Sequence, residues 1–171
     1  ILDSLKGTAA IGHVRYSTTG GNLLTNAQPL SANLFSGPVS VAHNGNLTNA
    51  AELKSELQKK GAIFQGTNDT EVLLHLLARH PSQNIIECLK ETLPNLVGAY
   101  SFVILTHDRM LAIRDPLGFR PLVLGKKKNE KSDWIYVVAS ETCAFDLIGA
   151  EFVREVEPGE ILSINQNGLE T

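Results

Sequence analysis

The spacing of apolar residues changes character twice along the chain. Residues 8–16 (TAAIGHVRY) are compact and mostly apolar, which predicts a buried strand emerging at Arg15; 39–42 predict a second short strand, closed by Asn44-Gly45. From Thr48 the period lengthens to that of helices. One helix runs through Leu53 and Leu57, with Thr48 or Asn49 as cap and Lys59-Lys60-Gly61 as stop. A second, capped by Thr67 or Asn68, carries Val72, Leu73, Leu76 and Leu77, and a third follows Pro81 through Ile85, Ile86, Leu89 and Leu93. Short apolar or alternating runs then return at 100–105, 110–113, 122–124, 134–139, 152–156 and 160–164. Turns separate them and a short helix around 144–148 interrupts them, the pattern of antiparallel sheet. Strands, a block of helices and more strands predict a layered α+β domain with helices outside the sheets.

Composition narrows the function. The 171 residues are 43% hydrophobic and 19% charged, enough for one domain with a continuous core. A net charge of −3 supplies no basic field for nucleic acid, and the run Lys126-Lys127-Lys128 reads as a polar loop tip. No apolar stretch approaches the roughly 18 residues of a membrane span, and the start, ILDSLK, lacks the features of a signal peptide. Cys88 and Cys143, far apart in apolar contexts, form neither a disulfide framework nor a zinc site, which fits a cytoplasmic protein. No repeat, low-complexity tract or linker is visible, and the absence of an initiator Met gives the chain the look of a piece of something longer.

The polar residues worth attention stand at strand ends and helix starts. Asn44-Gly45 has two readings: a tight hairpin turn between apolar segments, or a side-chain amide and a backbone N–H aimed at a developing oxyanion. Arg15 offers a guanidinium fork suited to a carboxylate, Thr18 a hydroxyl donor, and Asp69, in the first turn of a helix, an acceptor for an ammonium. Taken singly, these are equally a surface charge, a turn hydroxyl and a charge complementing the helix dipole. Taken together, they are the parts needed to hold a free amino acid while its side-chain carbonyl is attacked. Residues 17–22 (STTGGN) predict a mobile loop beside them.

Three segments, GHVRYST (12–18), AHNGNL (42–47) and NDTEVL (68–73), resemble in order and spacing the glutamine-site motifs of class II glutamine amidotransferases, the N-terminal-nucleophile group. Two later runs, RDPLGFRPL (114–122) and ASETCAFD (139–146), are most similar to members of the amidophosphoribosyltransferase type, and the likeness extends to Glu160. The resemblance implies a four-layer αββα sandwich, with residues 1–171 forming a glutaminase domain truncated at its N-terminus. It also implies an N-terminal cysteine nucleophile whose α-amino group is the base, a γ-glutamyl thioester, and transfer of ammonia by a separate domain to phosphoribosyl pyrophosphate in purine synthesis. Arg15 and Thr18 would bind the glutamine α-carboxylate, Asp69 its α-ammonium, and Asn44 and Gly45 would form the oxyanion hole. The loop from Arg15 to about Asn26 would be a lid hinged at Gly20 and Gly21. For parts of such enzymes outside this chain the resemblance implies magnesium, in some relatives an iron–sulfur cluster, and a homo-oligomer.

The chain departs from that pattern in beginning at Ile1 without a Cys-Gly start. The isolated 171 residues are therefore expected to be inactive, since Cys88 and Cys143 both sit among apolar neighbours without a base at recognisable spacing. His13 and His43 read as strand-end residues that satisfy backbone groups, and His75, His80 and His107 lack metal-ligand spacing. Two alternatives stand beside the leading one: another class II amidotransferase, of the glucosamine 6-phosphate or asparagine type, and a glutamine-binding module without catalysis.

Overall fold

The computed structural model describes residues 7–14 and 24–171. Its framework is a six-stranded antiparallel sheet in the order β1(Leu30–Leu34), β2(Gly37–Leu47), β3(Gly98–Leu105), β4(Arg109–Arg114), β8(Ile161–Asn165) and β9(Gly168–Glu170). A three-stranded sheet places β5(Val123–Lys128) between β6(Trp134–Ala139) and β7(Glu151–Glu155). Strand alternation explains how the layers assemble. On one face of the larger sheet Val39, Val41, Phe102, Ile104, Leu111 and Ile113 pack against helices α1(Ala50–Lys59), α2(Glu71–Arg79) and α3(Ile85–Thr92), through Leu53, Leu73, Leu77 and Leu89. On the other, Val103, Ala112, Leu162 and Ile164 meet Leu122, Leu124 and Val138 of the smaller sheet. Helix α4(Cys143–Ile148) closes the outer side, laying Phe145 over Gly125, where a Cβ would come within 2.8 Å of the ring. The result is the expected four-layer αββα sandwich.

Several elements differ from expectation. Residues 8–14 form no strand and are exposed or half-buried. β1 pairs β2 only along Gly37–Val41, and beyond it the segment is tied to the strand by His13 Nε2 at 2.9 Å from the His43 carbonyl. The lysine run lies within β5 and is no loop tip: Lys126 and Lys128 place their ammonium groups 4.4 and 5.3 Å from the centre of the Trp134 ring on β6. Cys143 is exposed, since only Phe145 of its helix is buried, whereas Cys88 is buried between α2 and α3 as expected. Strands β1 and β9 carry weak apolar patterns and went unforeseen.

One ion pair ties β7 to the start of β8. Arg154 grips both oxygens of Glu160 at 2.6 and 2.8 Å, and Glu157 N–H donates to the same carboxylate at 2.7 Å. The guanidinium holds the Glu160 carboxyl below its ordinary range, outweighing partial burial. A carboxylate lowered in this way contributes stability that is complete above its unfolded pKa and lost as pH falls through the lowered folded value. Glu160→Gln should therefore lower Tm at pH 7 and flatten the fall of Tm below about pH 4.3; parallel curves for the two proteins would remove the pair from the acid response.

Candidate functional site

The site grows from the far end of β2. Asn44 and Gly45 remain within the strand, paired with Ser101 and Tyr100 of β3, so the hairpin-turn reading is overturned. The reason is local geometry imposed by tertiary pairing. Gly45 has φ +152°, and a Cβ there would lie 2.1 Å from the Ala99 carbonyl oxygen and 2.8 Å from His43 Nε2. Gly98, opposite, approaches Asn46 as closely, with its own virtual Cβ 2.2 Å from the Asn46 carbonyl oxygen. Two glycines thus let β2 and β3 close together while Gly45 and Asn46 stay exposed. Gly45→Ala is expected to cost about 2 to 4 kcal/mol, combining strained backbone with a main-chain clash; an unchanged urea midpoint would show that the strand end yields freely.

Alternation sends His43 and Asn44 to opposite faces. His43, on the helix side, is buried against Phe102, with ring centres 4.6 Å apart. Its N–H donates to Gln28 Oε1 at 2.6 Å, and its Nδ1 lies 3.0 Å from Thr70 Oγ1. Thr70 in turn donates a long bond to Asp69 Oδ1 at 3.5 Å. His43 Nε2 has no partner among the described residues and fills the space that Gly45 leaves open.

Asp69 does not lie in the first turn of a helix. It stands two residues ahead of α2, because Asn68 Oδ1 accepts from Thr70 N–H at 2.8 Å and turns the chain before the helix begins. The turn is held from behind by fully buried Asn26, which accepts from Thr67 N–H and donates to Thr67 Oγ1, both at 2.9 Å. Asp69 Oδ2 accepts from Leu47 N–H at 2.9 Å, bringing the carboxylate to the same end of β2 as Asn44 and Gly45. Burial pushes this carboxyl up, but His43, 3.7 Å away, and the N–H groups of Leu47 and Thr70 outweigh it and hold the group below its ordinary value. It is therefore a preformed anion with one largely buried face.

On the other side, Asn44 Nδ2 donates to Ser140 Oγ at 3.2 Å and Oδ1 accepts from Arg120 Nη2 at 2.9 Å. In the sequence Ser140 and Arg120 stand inside the runs 139–146 and 114–122, with no local pattern that marks either as a partner of Asn44. They lie 96 and 76 residues from Asn44, so no local spacing could have joined them. Arg15, Thr18 and most of the expected lid fall outside the described residues; only its end, Leu24–Asn26, is described, as a single 3-10 turn. Among the described residues no three His, Cys, Asp or Glu side chains converge as metal ligands. Among them, too, no helix is long and apolar enough to cross a membrane.

A family model described as a glutamine amidotransferase domain matches residues 13–146. The chain belongs to this family. As such a domain, it is 48% identical over 168 residues to Amidophosphoribosyltransferase 2, chloroplastic, of Arabidopsis thaliana, covering 98% of this chain and 29% of that protein. It is 49% identical over 174 residues to the Amidophosphoribosyltransferase of Bacillus subtilis (strain 168), covering 99% and 35%. A solved structure of "the allosteric regulatory enzyme of purine biosynthesis" superposes with a TM-score of 0.85 at 48% identity, over 92% of this chain and 33% of that one. The amidotransferase domain thus spans about a third of the length of these relatives, and its fold is that of the N-terminal-nucleophile amidotransferases.

Proposed function

We propose that this domain hydrolyses glutamine to glutamate and ammonia within an amidophosphoribosyltransferase, the ammonia passing to phosphoribosyl pyrophosphate in purine synthesis. The observation that carries the reading is the gathering of an anionic Asp69 and the exposed Asn44-Gly45 edge at one end of β2. In this reading Asp69 binds the α-ammonium of glutamine, and Arg15 and Thr18 take its α-carboxylate. Asn44 Nδ2 and Gly45 N–H stabilise the oxyanion formed when the side-chain carbonyl is attacked. The names of the relatives support the choice of phosphoribosyl pyrophosphate as acceptor. A homo-oligomeric, cytoplasmic enzyme completes the proposal, consistent with the two unpaired cysteines.

Neither cysteine in the chain is assigned as nucleophile. Cys88 is buried, donates to the Ser82 carbonyl at 3.0 Å, and burial pushes its thiol pKa up; Cys143 is exposed, with Sγ 3.9 Å from Glu141 Oε2. Cys143→Ser should leave glutamine hydrolysis within about twofold of wild type, whereas its abolition would make Cys143 the nucleophile. The proposal as a whole is tested with the longer protein, by following ammonia release from glutamine and the acceptor that receives it. Phosphoribosyl pyrophosphate-dependent formation of phosphoribosylamine is expected. Transfer to a sugar phosphate or to aspartate would move the domain to another class II enzyme, and glutamine binding without hydrolysis would make it a binding module.

A further inference from the structure

We infer that Arg120 is a positioning residue for glutamine hydrolysis: it fixes which edge of the Asn44 amide faces the reacting carbonyl. The inference rests on the oxyanion-hole reading of Asn44 and deepens it. An asparagine amide has an accepting and a donating edge, and an isolated one serves as an oxyanion donor only in one of its two flips. A guanidinium is donor-only, so Arg120 Nη2, 2.9 Å from Asn44 Oδ1, permits one flip alone. The NH2 edge must then face away from Arg120, where it donates to Ser140 Oγ at 3.2 Å. Ser140 is a neutral hydroxyl that an oxyanion outcompetes as acceptor, since hydrogen bonds to ionised acceptors are the stronger ones. A cation on the amide oxygen also polarises the amide and strengthens its N–H donors.

Arg120 is built to hold that position. Its N–H donates to Asp115 Oδ2 at 3.3 Å, and its carbonyl accepts from Arg114 Nε at 2.9 Å and from Ser101 Oγ at 3.4 Å. Asp115 is fully buried and also gathers the N–H groups of Leu117 and Phe119, while Arg114 binds the Gly118 and Val156 carbonyls. The segment 114–120 is thus a pedestal fastened through the main chain of Arg120, leaving its guanidinium for Asn44. Arg120 Nε is buried without a partner among the described residues.

The test is a cycle in the longer protein with Arg120→Met, Arg120→Lys, Asn44→Ala and the Asn44→Ala/Arg120→Met double variant. Main-chain fastening is kept in each, and Tm is measured beside kcat and the glutamine KM. Arg120→Met should lower kcat for glutamine by about tenfold or more with KM within about twofold, and Arg120→Lys, which still donates, should recover part of it. In the Asn44→Ala background, Arg120→Met should change kcat by less than about twofold, because Arg120 acts through an amide that is gone. Wild-type kcat in Arg120→Met, or losses that multiply in the double variant, would overturn the inference while leaving Asn44 in its role. A wild-type kcat in Asn44→Ala alone would overturn both, and is read before the cycle is closed.

Discussion

Asn44→Ala, made in the longer protein, should lower kcat for glutamine about 10² to 10³-fold, the usual consequence of losing one oxyanion donor, with little change in KM. The asymmetry follows from when the bond is made. Glutamine in its ground state does not need the Asn44 amide, whereas the charge on the attacked carbonyl does. Ammonia supplied from solution bypasses that step, so ammonia-dependent synthesis should stay near wild type in the same variant. Asn44 also bridges Arg120 and Ser140, and its loss removes both hydrogen bonds. Should ammonia-dependent and glutamine-dependent synthesis fall together with Tm, Asn44 is a structural link between the sheets. Should neither fall, the oxyanion hole lies elsewhere.

Asp69→Asn is expected to act on the opposite kinetic parameter. The variant keeps an oxygen to accept from Leu47 N–H, now made at 2.9 Å, so the loop before α2 retains its tie to the strand. What it loses is charge at a mostly buried site. Leaving the α-ammonium of glutamine without its anion should cost about 2 to 5 kcal/mol, by comparison with broken buried pairs. The glutamine KM then rises about 30-fold or more, with a much smaller change in kcat. A KM within about twofold of wild type would return Asp69 to a purely structural part, capping Leu47 and steadying Thr70.

What the sequence disclosed follows from how local each signal was. The helices α1 and α3 and the strand Trp134–Ala139 are legible because their periods lie within the elements, and α3 is in addition capped locally by Asn84, which accepts from Ile86 N–H at 3.0 Å. Asn44-Gly45 misled because its turn preference is local, whereas its actual place in β2 is dictated by the close approach of β3, fifty-odd residues away. The same holds for Lys126-Lys127-Lys128, whose like charges resemble a solvated tip until Trp134 on the neighbouring strand gives two of them an aromatic face. Residues 8–14 show the converse: their apolar content suits a strand, yet among the described residues they join neither sheet. Motif order puts Asn44, Gly45 and Asp69 together in the sequence, and the fold brings Asp69 to the end of β2 that carries the other two, while the Arg120 and Ser140 contacts emerge only from folding.

The most direct measurement is a crystal structure of the longer protein with L-glutamate, the hydrolysis product, bound. The account predicts the α-ammonium within hydrogen-bonding distance of Asp69, with a side-chain carboxylate oxygen at Asn44 Nδ2 and Gly45 N–H. Asn44 Oδ1 should remain on Arg120. Glutamate bound away from the end of β2, or with its side-chain carboxylate turned from Asn44 and Gly45, would contradict it.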